Sequence, residues 1–332
     1  MYLRRPIIIS LSLAAGLLAA AGDALRVPLG LDAYVPAPAG NQLSREKVEL
    51  GRALFFWKGL SQDRTVSCGS CHQPDRAFTD GKPGAVGVRG QISARRTPPI
   101  LNRAWGKAFF WDGRAATLEQ QVLQPLLNPR EMDLKAEEIA PRVQGDTLLS
   151  ARMRAVFGRQ PDNEDIARAL ASYVRSILAG DSPYDRYVAG DRAALSAEQQ
   201  QGLKLFRGKA NCVACHVGTS LTDERFHNTG TGWKDGRWTD EGRAAVSKDE
   251  TDRGAFKTPS LREVARAAPY MHDGSLPTLA EVVDFYDKGG RENPMIDGEM
   301  RELKLTAGEK RALVEFLKGL TGTVSESWPA LQ

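Results

Sequence analysis

Long apolar runs are missing from this chain of 332 residues once its first twenty-one are passed, and no later segment approaches the length needed to span a bilayer. A polytopic membrane protein is thereby excluded. A large excess of one charge is missing too: 45 lysines and arginines face 41 acidic residues, and removal of residues 1–21 takes away two arginines. So even a balance gives nucleic acid no electrostatic footprint, and no strand-rich stretch appears anywhere. Cysteine and histidine are the scarcest chemistry, with four of each.

Those few residues are concentrated. All four cysteines and two of the histidines fall in Cys68-Gly69-Ser70-Cys71-His72 and Cys212-Val213-Ala214-Cys215-His216. C-x-x-C-H is the attachment pattern of a c-type haem, in which two thiols add to the porphyrin vinyls and the adjacent histidine ligates iron. A thioredoxin-like pair needs no following histidine, and a zinc site would have to join two Cys₂His sets across about 140 residues. Two covalently bound c-type haems are the expectation, on Cys68, Cys71 and His72, and on Cys212, Cys215 and His216.

The N-terminus agrees with that chemistry. Met1-Tyr2-Leu3-Arg4-Arg5 precedes an apolar run from Ile7 to Ala21 with small residues at its end, the layout of a secretory signal. Residues 1–24 are therefore read as a signal peptide and the mature protein as periplasmic, where haem c is attached, with no membrane span after cleavage. An uncleaved anchor is the other reading.

Beyond the two motifs the halves repeat one another. Gly51-Arg52-Ala53-Leu54-Phe55 and Gly202-Leu203-Lys204-Leu205-Phe206 each precede a haem motif. Ser44 and Ser196 stand as helix caps before them. Downstream, Arg96-Thr97-Pro98 matches Lys257-Thr258-Pro259, and Trp111-Asp112-Gly113 with Thr117-Leu118 matches His272-Asp273-Gly274 with Thr278-Leu279 at identical spacing. Helical patterns recur at 118–127, 163–179, 279–287 and 307–319. Residues 225–250 read as a long loop. The chain is thus expected to be mostly α, a tandem pair of cytochrome c-like haem domains: residues 25–185, and 186–332 after a break between Ser182 and Asp191.

The repeat also predicts a difference between the halves. Fourteen residues beyond His272 stands Tyr286; fourteen beyond Trp111 stands Pro125. The second iron then meets a phenol and the first a side chain without a donor, so the first is open to a small ligand. Gln121 and Glu131 flank Pro125. A carboxylate there can carry a proton from the inner to the outer oxygen of a peroxide, and an amide can orient it. Trp111, between the motifs, is a candidate relay. Glu131 as a surface acid and Trp111 as core packing are the plainer readings of the same residues.

These pieces together, from Leu50 to about Gly290, resemble the bacterial di-haem cytochrome c peroxidase family and, within it, the MauG-like branch. The match rests on the two haem motifs, Phe110-Trp111-Asp112-Gly113-Arg114, Asn128-Pro129 with Glu131-Met132, and Pro269-Tyr270-Met271-His272-Asp273-Gly274. The resemblance implies that H₂O₂ reacts at the His72 haem, with Gln121, Pro125 and Glu131 in its distal pocket and Trp111 between the haems. An external protein, whether a small cytochrome c, a copper protein or a protein substrate, supplies electrons through the His216/Tyr286 haem. Ordinary members carry a distal histidine on the peroxidatic haem; its place here falls at Val88. They close the other haem with Met where this chain has Tyr286; Met271, Met295 and Met300 are the alternatives if the count slips. The family commonly holds Ca²⁺ on an Asn and on carbonyls at the places of Ala267 and Pro269. Arg96 stands at the Asn place, so Ca²⁺ is left open with the charge against it. His272 is expected to hydrogen-bond a haem propionate or backbone, and His227 has no assigned role. A conventional cytochrome c peroxidase and a non-catalytic di-haem electron carrier are the rival readings.

Overall fold

The computed structural model describes residues 25–326 and 328; the expected signal peptide lies outside them. Among the described residues the helices are α1 Arg45–Phe56, α2 Cys68–Cys71, α3 Leu118–Leu127, α4 Ala136–Gln144, α5 Thr147–Phe157, α6 Asn163–Ser176, α7 Pro183–Val188, α8 Ala197–Arg207, α9 Ala244–Ser247, α10 Leu279–Asp287 and α11 Ala307–Lys318. Short strands, β1 Leu178–Gly180, β2 Phe226–His227, β3 Trp233–Lys234, β4 Arg237–Trp238, β5 Phe256–Lys257 and β6 Thr323–Ser325, pair antiparallel as β1–β6, β2–β5 and β3–β4. The chain is mostly helical, as its periodicity predicts.

Local chemistry sets the helix starts. Ser44 accepts from the Lys47 amide, and Ser196 and Gln199 cap each other reciprocally. Thr117 and Thr278 do the same work for α3 and α10, satisfying amides that have no carbonyl within the first turn.

Packing then repeats the same device twice. Gly51 of α1 lies against the Ala169 carbonyl and Tyr173 of α6; Gly202 of α8 lies against the Ala312 carbonyl and Phe316 of α11. One turn on, Phe55 meets Tyr173 with ring centroids 5.0 Å apart, and Phe206 meets Phe316 at 5.1 Å. A side chain at either glycine would overlap backbone that cannot move without separating the helices. Gly51→Ala is therefore expected to destabilise the fold by about 1–3 kcal/mol or more, the usual range for overpacking, read as a lower midpoint in denaturant unfolding.

Two apolar clusters result. One gathers α1, α3 and α6 around Leu54, Leu118, Leu126, Leu170 and Tyr173; the other gathers α8, α10 and α11 around Leu205, Phe206, Val283, Leu313 and Phe316. Tyr184 and Tyr187 of α7 pack on the second. Residues 323–326 return from the second cluster to the first: β6 pairs with β1, and Glu326 accepts from the Tyr173 hydroxyl at 2.9 Å.

Three local expectations need correction. The helix predicted over 163–179 stops at Ser176. Beyond it, Asn102 bonds both the amide and the carbonyl of Ala179, at 2.8 and 2.9 Å, and β6 takes the strand edge. Residues 225–250 are not a featureless loop, because Trp233 and Trp238 pair across the β3–β4 hairpin with ring centroids 4.8 Å apart. Helices α4 and α5 were not anticipated; Pro141 lies inside α4 and masks its pattern.

Candidate haem sites

Each C-x-x-C-H sits in a short helical turn, and each following loop bends back over its histidine. The ring Nδ1 of His72 lies 2.9 Å from the Phe78 carbonyl, and that of His216 lies 3.0 Å from the Leu221 carbonyl. Ala77, Phe78 and Leu221 adopt positive φ to make these returns. A ring held by Nδ1–H presents an unprotonated Nε2, which is what a metal requires. Burial lowers both imidazoles' proton affinity, in the same direction.

All four cysteines are free. Burial pushes Cys68 and Cys212 up to about 12 and Cys71 up to about 11, so these thiols are neutral. Beside Cys71 and His72 lies a cavity of about 530 Å³, extended by about 70 Å³ toward Cys68. Beside Cys212, Cys215 and His216 lies one of about 220 Å³. The first lies within the roughly 300–1,000 Å³ usual for cofactor pockets, and the second is smaller. Paired free thiols, an oriented histidine and an adjoining cavity fit a covalently held haem at both places.

The first cavity is lined by Gln121, Pro125, Asn128, Glu131 and Arg114. Helix α3 presents Gln121 and Pro125 one turn apart, and the tight turn after it returns Glu131. Asn128 donates to Glu131 Oε1 at 2.7 Å, leaving Oε2 without a partner among the described residues. Burial raises this carboxyl above its ordinary value, against the opposing pull of Asn128 and Arg114. Gln121 makes no side-chain hydrogen bond among the described residues. His72 is the one histidine lining this cavity. Val88 is fully buried, and its amide donates to the Glu131 carbonyl at 2.8 Å. It braces the Glu131 turn.

The second cavity is lined by Tyr286 from α10, with Met271, Met300, His227 and His272. Met295 is exposed and lies away from it. Burial raises the Tyr286 phenol well above its ordinary value, with Cys215 and Cys212 adding to the shift. Its hydroxyl has no hydrogen-bond partner among the described residues. Thus α3 and α10 present Pro125 and Tyr286 to their cavities from equivalent positions.

Trp111, Arg96, Lys257 and Arg262 line both cavities and form the wall between them. Trp111 is 8% exposed and its Nε1 donates to the Arg96 carbonyl at 3.1 Å. Arg96 Nη2 donates to the Ala267 carbonyl at 2.6 Å. A buried guanidinium already bonded to that carbonyl does not fit a calcium ion at the same place, since two cations would share one acceptor without water between them.

His227 is clamped between Asp223 at 2.9 Å and Asp297 at 2.6 Å. Cys215, Asp223 and His227 offer ligand atoms within 4.8 Å of one another, but the Cys215 sulfur belongs to the haem motif. His227 ties the loop carrying Asp297 across the second cavity. Sequence reasoning missed this clamp, and it missed Asn128 and Lys257 as parts of the sites. Asn128 three residues before Glu131 was the available signal for the first; Lys257 in the repeat was the signal for the second.

Two such histidine–thiol cavities joined by an indole define a di-haem oxidoreductase. Comparison with known proteins agrees: the family model for di-haem cytochrome c peroxidase matches residues 45–193. The methylamine utilization protein MauG of Methylorubrum extorquens is 41% identical over 288 residues, covering 86% of this chain and 81% of that protein. The cytochrome-c peroxidase IdrP1 of Denitromonas iodatirespirans is 36% identical, covering 92% and 89%. A solved MauG-like protein associated with microbial copper homeostasis superposes with a TM-score of 0.81 at 36% identity, covering 88% and 94%. The chain belongs to the di-haem cytochrome c peroxidase family, and it is a haem peroxidase.

Proposed function

We propose that this protein is a periplasmic MauG-like peroxidase that takes H₂O₂ at the His72 site and draws electrons from an external protein through the His216/Tyr286 site. The observation that carries this reading is the asymmetry of two equivalent helices, with Pro125 facing one cavity and Tyr286 the other. When bound, the haems supply the iron that receives peroxide and the two redox centres that store and pass on electrons.

The remaining roles belong to the chain. Cys68, Cys71, Cys212 and Cys215 would hold the porphyrins, and His72 and His216 would supply the iron ligands. Pro125 offers the first site no side-chain ligand. Gln121 orients bound peroxide through its amide, and Glu131 Oε2 takes a proton from one oxygen and returns it to the other, which leaves as water. Tyr286 would supply the second site's further ligand through its hydroxyl. Trp111 lies in the wall between the sites and relays electrons. The basic and apolar start of the chain supports export, and no helix among the described residues is long and apolar enough to cross a membrane.

A conventional cytochrome c peroxidase needs prior one-electron reduction to free its peroxide site. We expect the fully oxidised holoprotein to consume H₂O₂ at once and without priming. A lag abolished by prior half-reduction, with rapid steady turnover on a reduced cytochrome c, would favour the conventional enzyme.

A further inference from the structure

The internal repeat makes Arg96 and Lys257 equivalent residues, and likewise Trp111 and His272, each pair fifteen positions apart along its own half. In the folded chain these pairs join crosswise. The Arg96 amide donates to the His272 carbonyl at 2.9 Å, and the Lys257 amide donates to the Trp111 carbonyl at 2.8 Å. Phe110 and Met271, just before the two residues whose carbonyls accept, share the same positive φ. The units therefore meet through a reciprocal contact like that of a two-fold dimer, with one cation from each half at its centre.

Both cations line both cavities, and both are more than nine-tenths buried, at 5% and 8% exposure. Neither is fully neutralised. The one side-chain hydrogen bond of Arg96 is to the neutral Ala267 carbonyl; Asp80 is near enough to act on it electrostatically but does not bond it. Lys257 reaches Glu224 at 3.3 Å, and Glu224 is already held by Arg103 at 2.7 and 2.9 Å. Two cations thus share one carboxylate. Arg262, on the same wall, differs: Asp185 pairs it at 2.8 and 2.9 Å. His272 is 4% exposed and stacks on Phe256, with its Nε2 facing Asp240 at 3.6 Å and its Nδ1 without a partner among the described residues. Buried, incompletely paired cations such as Arg96 and Lys257 call for an anion.

We propose that Arg96 and Lys257 form one anion receptor that binds propionate carboxylates of both haems, each unit's cation serving both cofactors. The inference rests on the two-haem reading above. Its consequence is that the charge state of one haem is felt at the other through a shared wall, in addition to any relay through Trp111.

The test is a potentiometric titration of the holoprotein carrying Lys257→Met, Lys257→Arg or Arg96→Met, with Lys58→Met, at an exposed lysine outside both cavities, as the control and haem counted in every sample. Loss of a cation beside the carboxylates favours the ferric state. Lys257→Met and Arg96→Met are therefore expected to shift both haems toward oxidation by about tenfold in the redox equilibrium, a fall of about 59 mV for one electron. Lys257→Arg restores most of the shift, and the control shows none. Unchanged potentials, a shift at one haem alone, or equal shifts in Lys257→Met and Lys257→Arg would overturn the proposal. Where the Met variants fail to fold, resonance Raman of Lys257→Arg decides: a moved propionate-bending band supports the contact and an unmoved band refutes it. Fewer than two haems in the wild-type chain would refute the parent reading, and this one with it.

Discussion

Replacing Glu131 by Gln is expected to slow the reaction of the oxidised protein with H₂O₂ by roughly 100- to 10,000-fold, the usual contribution of a positioned general acid–base group. The substitution keeps the side chain's shape, so Asn128 can still meet its oxygen, yet removes the atom that carries the proton. The wild-type pH profile provides a second check. Burial raises the Glu131 carboxyl, and only the carboxylate can take a proton. The rate should therefore fall on acidification, with its acid limb lying above 4.5, the ordinary value of a glutamate. In Glu131→Gln that limb disappears. Stopped-flow absorbance at several pH values measures both. A variant that keeps the wild-type rate would show Glu131 to be only a brace for its turn.

Tyr286→Met should change the second site without closing or opening the first. A phenolate ligand is hard and anionic and favours oxidised iron, whereas methionine with histidine raises the potential. Axial ligation spreads haem potentials over about 0.8 V, so the midpoint of one haem is expected to rise by a large fraction of that range. The other moves little. The variant should also lose the ability to react with peroxide while fully oxidised on both sides of Trp111, because its second centre resists giving up an electron. Tyr286→Phe tests the assignment separately: an unchanged spectrum at the second haem would rule the phenol out as a ligand and return attention to Met271 and Met300, which line the same cavity.

The helices were legible because their information is local. Caps at Ser44, Thr117, Ser196 and Thr278, and the apolar spacing that follows each, act within a turn or two. The repeat was legible for a related reason: Gly51 and Gly202 do the same steric work in each half, so the same words surround them. Pro125 and Tyr286 could be picked out by counting along that repeat, and Glu131 as the carboxylate just beyond Pro125; all three line the expected cavities. What escaped was the wall between the cavities. Arg96 meets His272, and Lys257 meets Trp111, across more than a hundred residues, and no periodicity encodes such a contact. The His227 clamp escaped similarly, since Asp297 comes from seventy residues away. The end of α6 at Ser176 depended on Asn102 and on β6, neither of which a helical pattern can register.

The central claim is that one site is open to peroxide in the oxidised protein while the other is closed by Tyr286. Optical and EPR spectra of the all-ferric holoprotein, before and after one equivalent of H₂O₂ and with no reductant present, address it directly. One high-spin and one low-spin haem, with a rapid spectral change on adding peroxide, is the predicted result. Two low-spin haems that ignore peroxide until half-reduced would contradict it and place a hidden ligand over His72.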